Sequence, residues 1–338
     1  MAVVPDPEKT TANAIYAWHA ERKDEFREHL GASLIGHHCD RYLWLTFRWA
    51  FKPEFSGRLL RLFETGKREE ERIINELRAI GVDLHTEEDG NQIQCRDAFG
   101  HFGGSVDGVG RGFPEAPKTW AVFEAKTMND KAFSGLIAKG LKAEKPQHYA
   151  QVQTYMGLLN LERAMYVAVN KNSDTIHSEW VHYDVGAFNR SIDRAGRVVT
   201  STLPLTKASE DPSNWLCKMC DGYDLCHKDK VAEVNCRTCC HSTAQEGGTW
   251  HCGLHSKLLT YQDQLNGCDG HLMIPPLVPN AEAVDGGVNH IEYKDKTTGE
   301  TFTQGIGYVP SLALATRQSK AAGRRKVPGI PFDDEIPF

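Results

Sequence analysis

GGSVDGVGRGFPEAPKTWAVFEAK, residues 103–126, is a glycine-rich approach to Asp107 followed by a short β-type run from Trp120 to Lys126. Two strands joined by a turn fit this pattern. Successive strand side chains point to opposite faces, so Val122, Glu124 and Lys126 share one face while Ala121, Phe123 and Ala125 share the other. Asp107 on the neighbouring strand can face the way Glu124 and Lys126 do. Carboxylates converging from adjacent strands repel unless a divalent cation lies between them, and hard oxygen ligands suit Mg²⁺ or Mn²⁺. A lysine beside them neutralises charge developing on a phosphate or orients an attacking water. Taken alone, a Glu-x-Lys pair is equally the mark of a solvated strand face.

The neighbouring segments change that balance. Upstream, Gly66-Lys-Arg-Glu-Glu70 opens a helical run with Ile73, Ile74 and Leu77 at core spacing. Downstream, a second helix starts at Pro146 and carries Gln151 and Tyr155 four apart on one face. The order Gly-x-x-x-Glu, Gly-x-x-Asp, Glu-x-Lys, Gln-x-x-x-Tyr resembles the PD-(D/E)XK nuclease superfamily, in its RecB-like exonuclease branch. The resemblance implies a restriction-endonuclease-like α/β fold, a mixed central sheet flanked by helices. It also implies that Asp107, Glu124 and the carbonyl of Ala125 bind Mg²⁺ or Mn²⁺, with Glu70 completing the inner or second shell. Lys126 then positions the water or stabilises the transition state, and Gln151 and Tyr155 hold the phosphate backbone or orient the water.

At 338 residues the chain has room for one large domain and a smaller one. The pattern predicts an apolar helix over 34–49, a helix over 56–80 stopping at Gly81, and strands over 91–96, 101–110 and 119–127. Helices over 130–142, up to 160 through Gln151, and over 185–200 follow, with strands over 163–170 and 176–183 between the last two. The boundaries expected are 1–30 for a leader and helix, 31–230 for the nuclease domain, 231–310 for a cysteine-rich lobe and 311–338 for a basic linker with an acidic tip. No apolar run approaches the roughly 20 residues of a membrane span, and the first residues lack a basic-then-apolar signal pattern. A cytoplasmic location is expected. A formal net charge of −6 gives no overall basic footprint, so a DNA partner must be met by a local basic groove.

Ten cysteines in a chain without a secretion signal point to metal rather than disulfides. Cys217, Cys220 and Cys226 have the spacing C-x2-C-x5-C, and Cys39 lies far upstream in Cys39-Asp-Arg41-Tyr-Leu-Trp44. Three clustered thiolates are one short of a four-ligand site, which a distant fourth would complete for zinc or an iron–sulfur cluster. This arrangement resembles the CRISPR-associated RecB-like exonucleases and the AddB-type helicase-nucleases, which implies a [4Fe–4S] cluster on Cys39, Cys217, Cys220 and Cys226. The other readings are a zinc site, or a three-cysteine zinc knuckle completed by His227 with Cys39 an ordinary buried thiol.

The second set looks zinc-ribbon-like, with Cys236, Cys239, Cys252 and Cys268 the preferred Zn²⁺ ligands and His271 or Cys240 as substitutes; a reduced-thiol cluster is the alternative. Cys95 reads as a core residue. The lobe that carries this set departs from the CRISPR-associated family, whose chains generally finish soon after the third clustered cysteine. Within it, residues 290–304 read as a hairpin turning at Thr298-Gly299.

Arg317, Lys320, Arg324, Arg325 and Lys326 mark a flexible basic linker. The final residues, Asp333, Asp334, Glu335, Ile336, Pro337 and Phe338, resemble the tip of bacterial single-stranded-DNA-binding proteins. That implies docking onto host proteins that bind the tip, in a bacterial or bacteriophage setting. The function expected is a metal-dependent DNA exonuclease in recombination or end-processing. The rivals are a non-catalytic DNA-binding iron–sulfur scaffold that recruits repair proteins, and an endonuclease of the same fold.

Overall fold

The computed structural model describes residues 10–21 and 26–314; the tip residues Asp333 to Phe338 lie outside them. No described helix is long and apolar enough to cross a membrane. Among the described residues the longer helices of the larger part are α1 Thr11–Ala20, α2 Asp40–Phe47, α3 Gly57–Ala79, α4 Asp130–Lys139, α5 Pro146–Leu159 and α6 Val185–Thr200. The central sheet has five strands, β1 Asp83–His85, β2 Gly108–Arg111, β3 Ala121–Met128, β4 Arg163–Asn170 and β5 Ile176–His182, in the order β5-β4-β3-β2-β1. Only β3 and β4 run parallel. A parallel pair needs a crossover, and α4 and α5 lie on it. The fold is therefore α/β, a mixed sheet flanked by helices.

Alternation along β3 sorts its side chains into two cores. Ala121, Phe123 and Ala125 join Met165, Val167 and Val169 of β4 against Ile73 of α3. Val122 faces the other way, into a larger core with Phe133 and Leu136 of α4 and Val152, Tyr155 and Met156 of α5. Helix α3 is fixed at its start by the Ser56 side chain, which accepts from the Leu59 amide. It gives out before Gly81, whose φ of 92° suits a residue without a Cβ.

Two expectations are corrected. The apolar helix over 34–49 is broken: a 3₁₀ turn at Ala32–Leu34 and the helix α2 are separated by a bend. Gly36 in that bend presses on α5, where a Cβ would lie 2.4 Å from the Gln147 Cα, so the chain turns to clear the helix. Cys39 ends up in extended backbone at the N-cap of α2. The strand over 101–110 is also divided. Phe102–Ser105 belongs to a small sheet with Leu30–Gly31 and Gln94–Arg96, whereas β2 belongs to the central one. The Val106 amide still donates to the Ile93 carbonyl, at 2.9 Å, but from Gly108 the partner is Phe123. The backbone changes partners at Asp107.

The cysteine-rich lobe is built on two three-stranded antiparallel sheets, β6 Ser242–Gln245, β7 Thr249–Cys252 and β8 Lys257–Leu259, then β9 Ala281–Gly286, β10 His290–Asp295 and β11 Thr301–Gly305. The last two strands form a hairpin, with Gly299 at φ 74° in its turn. The lobe is continuous with the larger core, since Trp250, Met273 and Tyr293 pack in one apolar cluster with Trp44 and Phe47. His101, just before the Phe102 strand, is held by the Gln245 and Thr249 carbonyls through Nε2, at 2.9 and 3.1 Å.

Candidate active site

Antiparallel pairing of Gly108 with Phe123 puts Asp107 across from Glu124. The Ala125 amide donates to Asp107 Oδ2 at 2.8 Å and fixes that carboxylate on the β3 edge. Glu124 is fully buried. Its Oε1 takes hydrogen bonds from Lys126 Nζ and from Gln151 Nε2, the latter at 2.8 Å, while Oε2 has no partner among the described residues. Lys126 Nζ also donates to the Ala125 carbonyl at 3.1 Å. Gln151 Nε2 lies 3.2 Å from the Tyr155 hydroxyl, one turn further along α5. Gly104 makes room for that ring, because a Cβ there would stand 2.8 Å from the hydroxyl. Glu70 reaches the same cluster from α3, close enough to interact with Asp107 and Lys126.

The electrostatics follow from three carboxylates and one ammonium in a half-dry space. Burial, then repulsion by Asp107, pushes Glu124 up to about 8, against the pull of Lys126. The same two causes push Glu70 up to about 7, opposed by Lys126 and Lys67. Burial alone would lower Lys126, but Glu124, Asp107 and Glu70 outweigh it and hold the ammonium protonated. Lys126 thus serves as the internal cation of the cluster. Among the described residues no group of three or more His, Cys, Asp or Glu side chains is arranged to hold a metal ion as it stands.

These raised carboxyls make a pH prediction. A group that binds its proton more tightly when folded stabilises the fold at low pH and loses that contribution as pH rises through its folded value. Glu70 and Glu124 rise from 4.5 to about 7 and about 8. Metal-free protein is therefore expected to lose stability progressively from pH 4.5 to about 8, and Glu124→Gln to flatten the upper part of that fall. Urea unfolding across the range checks it; a wild-type profile no steeper than that of the variant would refute it.

His148 and Tyr166 were not among the expected site residues, yet they stand behind the cluster. Tyr166 of β4 pairs in register with Glu124, and its hydroxyl is 2.7 Å from His148 Nδ1. Burial and the charge of Lys126 hold His148 well below the ordinary histidine range, so it is a neutral partner. The parallel register of β3 and β4 was the missing signal, and nothing local in the sequence sets it.

The first cysteine set is brought together. Cys39, Cys217, Cys220 and Cys226 line one cavity, with Tyr42 and His227 also on its wall. Burial, with Cys226 and Cys39 nearby, pushes the Cys220 thiol up to about 12. Burial raises the Cys226 thiol as well, against the pull of Arg41 and Lys207. In the second set, Cys236 has Cys239, Cys268 and Cys252 as electrostatic neighbours. The two proposed substitutes make hydrogen bonds of their own, as Cys236 does to the Asp263 carbonyl at 3.2 Å. His271 uses Nδ1 on Ser311 Oγ at 2.7 Å and Nε2 on the Asn235 carbonyl at 2.9 Å, and Cys240 donates to the Met273 carbonyl at 3.5 Å. Cys95 is buried in the core.

No family model and no curated protein matches this chain. Among solved structures it is similar to the alkaline exonuclease LHK-Exo from Laribacter hongkongensis, at 14% identity and TM-score 0.38, over 55% of this chain and 89% of that one. The same exonuclease in complex with dAMP gives 14% identity and TM-score 0.37 over 55% and 89%. A protein designated SSO0001 gives 15% and 0.40 over 64% and 93%. At that identity and overlap the likeness assigns no residue and no activity here.

Proposed function

We propose that this chain is a divalent-metal-dependent nuclease that hydrolyses phosphodiester bonds in DNA, acting as an exonuclease in end-processing. The observation that carries the reading is the Glu124 carboxylate, buried with one oxygen shared by Lys126 and Gln151 and the other unpartnered. A buried, unsatisfied carboxylate oxygen costs about 1–3 kcal/mol or more, a penalty that a structural role alone does not offset. With Asp107 across the sheet and Glu70 from α3, the donor set is hard oxygen and suits Mg²⁺ or Mn²⁺. Asp107, Glu124, Glu70 and the Ala125 carbonyl would hold the ion, which supplies Lewis-acid polarisation of the phosphate and a more acidic water. Lys126, released from Glu124, would then offer its charge to the phosphate, and Gln151 with Tyr155 would orient what lies beside Glu124.

The test is hydrolysis of end-labelled linear and closed circular DNA with Mg²⁺ and with Mn²⁺. Loss of linear DNA alone supports the exonuclease, and cutting of closed circles turns the reading to an endonuclease. DNA binding without hydrolysis of either would favour the scaffold.

Cys39, Cys217, Cys220 and Cys226 line one cavity, and the reading extends to their thiolates holding a [4Fe–4S] cluster, which would tie the start of α2 to the segment after α6. Anaerobically purified protein is expected to carry iron, acid-labile sulfide and broad visible absorption. All three should be lost in Cys226→Ser, with a lower melting temperature. Wild-type protein free of iron would remove the assignment.

A further inference from the structure

Four sulfurs of the C-terminal lobe are carried to one region by three separate pieces of chain. Cys236 opens a 3₁₀ turn, with its Sγ 3.2 Å from the Asp263 carbonyl oxygen. Cys239 is bridged to Met273, and its Sγ accepts the Leu272 amide at 3.3 Å. Cys252 ends β7 opposite Ser242, whose own amide donates to the Cys239 carbonyl. Cys268 follows the helix that bears Asp263 and turns directly into the Leu272 segment, the His271 amide donating to its carbonyl at 3.0 Å. The Leu272 amide favours charge on the Cys239 sulfur, against the burial that favours its thiol.

An independent observation lies on the other side of Cys239. Arg48 and Arg237 are both buried, 2% and 1% exposed, and stack on Trp250 with their guanidinium carbons 5.0 and 4.7 Å from its ring centre. Among the described residues neither forms an ion pair, and Arg48 Nε has no partner. Besides burial, which lowers both, the groups that favour charge on Arg48 are the Cys240 and Cys239 sulfurs, and those that favour it on Arg237 are Glu28 and Tyr261. Two close buried cations with so little opposing charge are costly unless something anionic is built beside them.

We propose that Cys236, Cys239, Cys252 and Cys268 bind one zinc ion as thiolates, and that this anionic centre offsets the buried charge of Arg48 and Arg237. Each thiol gives its proton to solvent as its sulfur–zinc bond forms, and a zinc ion with four thiolates is left doubly negative. His255 Nε2, 3.5 Å from Cys268 Sγ, then donates to that thiolate. Trp250 and the contacts of His101 with β6 and β7 link the centre to the strand that runs into Asp107.

The test is the zinc content of the full chain from zinc-supplemented growth, released with a mercurial and read with a colorimetric chelator. One zinc per chain is expected for wild type and for Cys240→Ser, and loss of more than about nine-tenths for Cys239→Ser and Cys252→Ser. Wild type without zinc, or zinc retained by both serine variants, overturns the site. Should the serine variants fail to fold, cobalt(II)-substituted wild type decides. Near-ultraviolet charge transfer of four thiolates supports the assignment, and that of three sulfurs and one nitrogen overturns it. Arg48→Met is expected to weaken zinc about tenfold in competition with a chelator, and an unchanged affinity overturns the charge pairing.

Discussion

Replacing Lys126 with alanine is expected to slow DNA hydrolysis by about 10²–10³-fold, the range seen when one preorganised electrostatic contact to a transition state is removed. The same substitution removes the cation that Glu124, Asp107 and Glu70 share. Breaking a buried pair typically costs about 3–5 kcal/mol because a bare charge is left behind. Here the cost depends on pH, since Glu124 already holds its proton up to about 8 and can stay neutral when its partner is gone. Lys126→Ala is therefore expected to unfold near the wild-type urea midpoint at pH 6 and well below it at pH 9. Hydrolysis by the variant within about tenfold of wild type would remove Lys126 from the chemistry. A loss of stability equal at both pH values would remove the account of the cluster.

Arg237→Ala is expected to cost about 4 kcal/mol, at the upper end of single-substitution effects. The guanidinium is 1% exposed, lies 3.7 Å from the Trp49 ring centre, and donates to Gln264 Oε1, the Phe47 carbonyl and the Glu28 carbonyl at 2.8, 3.0 and 2.9 Å. Truncation strands three acceptors and opens a cavity among aromatic rings. It also breaks the join between the lobe and the segment around α2, so loosening should spread to both. Urea unfolding measures the cost, and hydrogen exchange at Phe47 and Trp250 locates it. A change below about 1 kcal/mol would mean that the lobe and the sheet are held independently.

Much of the central sheet was legible because its signals are local. Alternation put Glu124 and Lys126 on one face of β3, and that face is the one that meets α5. Ser56 and Gly81 bracket α3, and Pro146 starts α5. The candidate residues from Glu70 to Tyr155 came from the order of four short motifs and the resemblance they carry, and the fold brings them near one another. The misses are long-range. The bend at Gly36 exists because α5 crosses it, and the sheet change at Asp107 exists because the Gln94–Arg96 strand competes for the same backbone. Neither leaves a trace in hydrophobic periodicity. Tyr166 meets Glu124 only through strand register, and His148 joins it through the Tyr166 hydroxyl. The choice among Cys240, His271 and Cys268 was open in the sequence because spacing counts residues along the chain. The fold adds that His271 spends both ring nitrogens on Ser311 and Asn235. The buried arginines were invisible because a charged residue beside tryptophans reads as surface until the lobe folds over it.

The change of sheet at Asp107 has a consequence for how the chain tolerates altered length. The turn between β2 and β3, residues 112–120, returns Ala121 to Gly110 and is anchored by the buried Phe113, so residues can be added or removed in its exposed part without moving any carboxylate. The two residues between Ser105 and Gly108 have no such freedom. They are pinned on one side by the Gln94–Ser105 pairing and on the other by the Gly108–Phe123 pairing. One inserted residue there would turn Asp107 to the opposite face, away from Glu124 and toward the apolar side of β3. Drift in loop length across this fold should therefore collect in the long turn and be absent from the short step, which makes that step the narrowest gauge of whether a related chain keeps the same site.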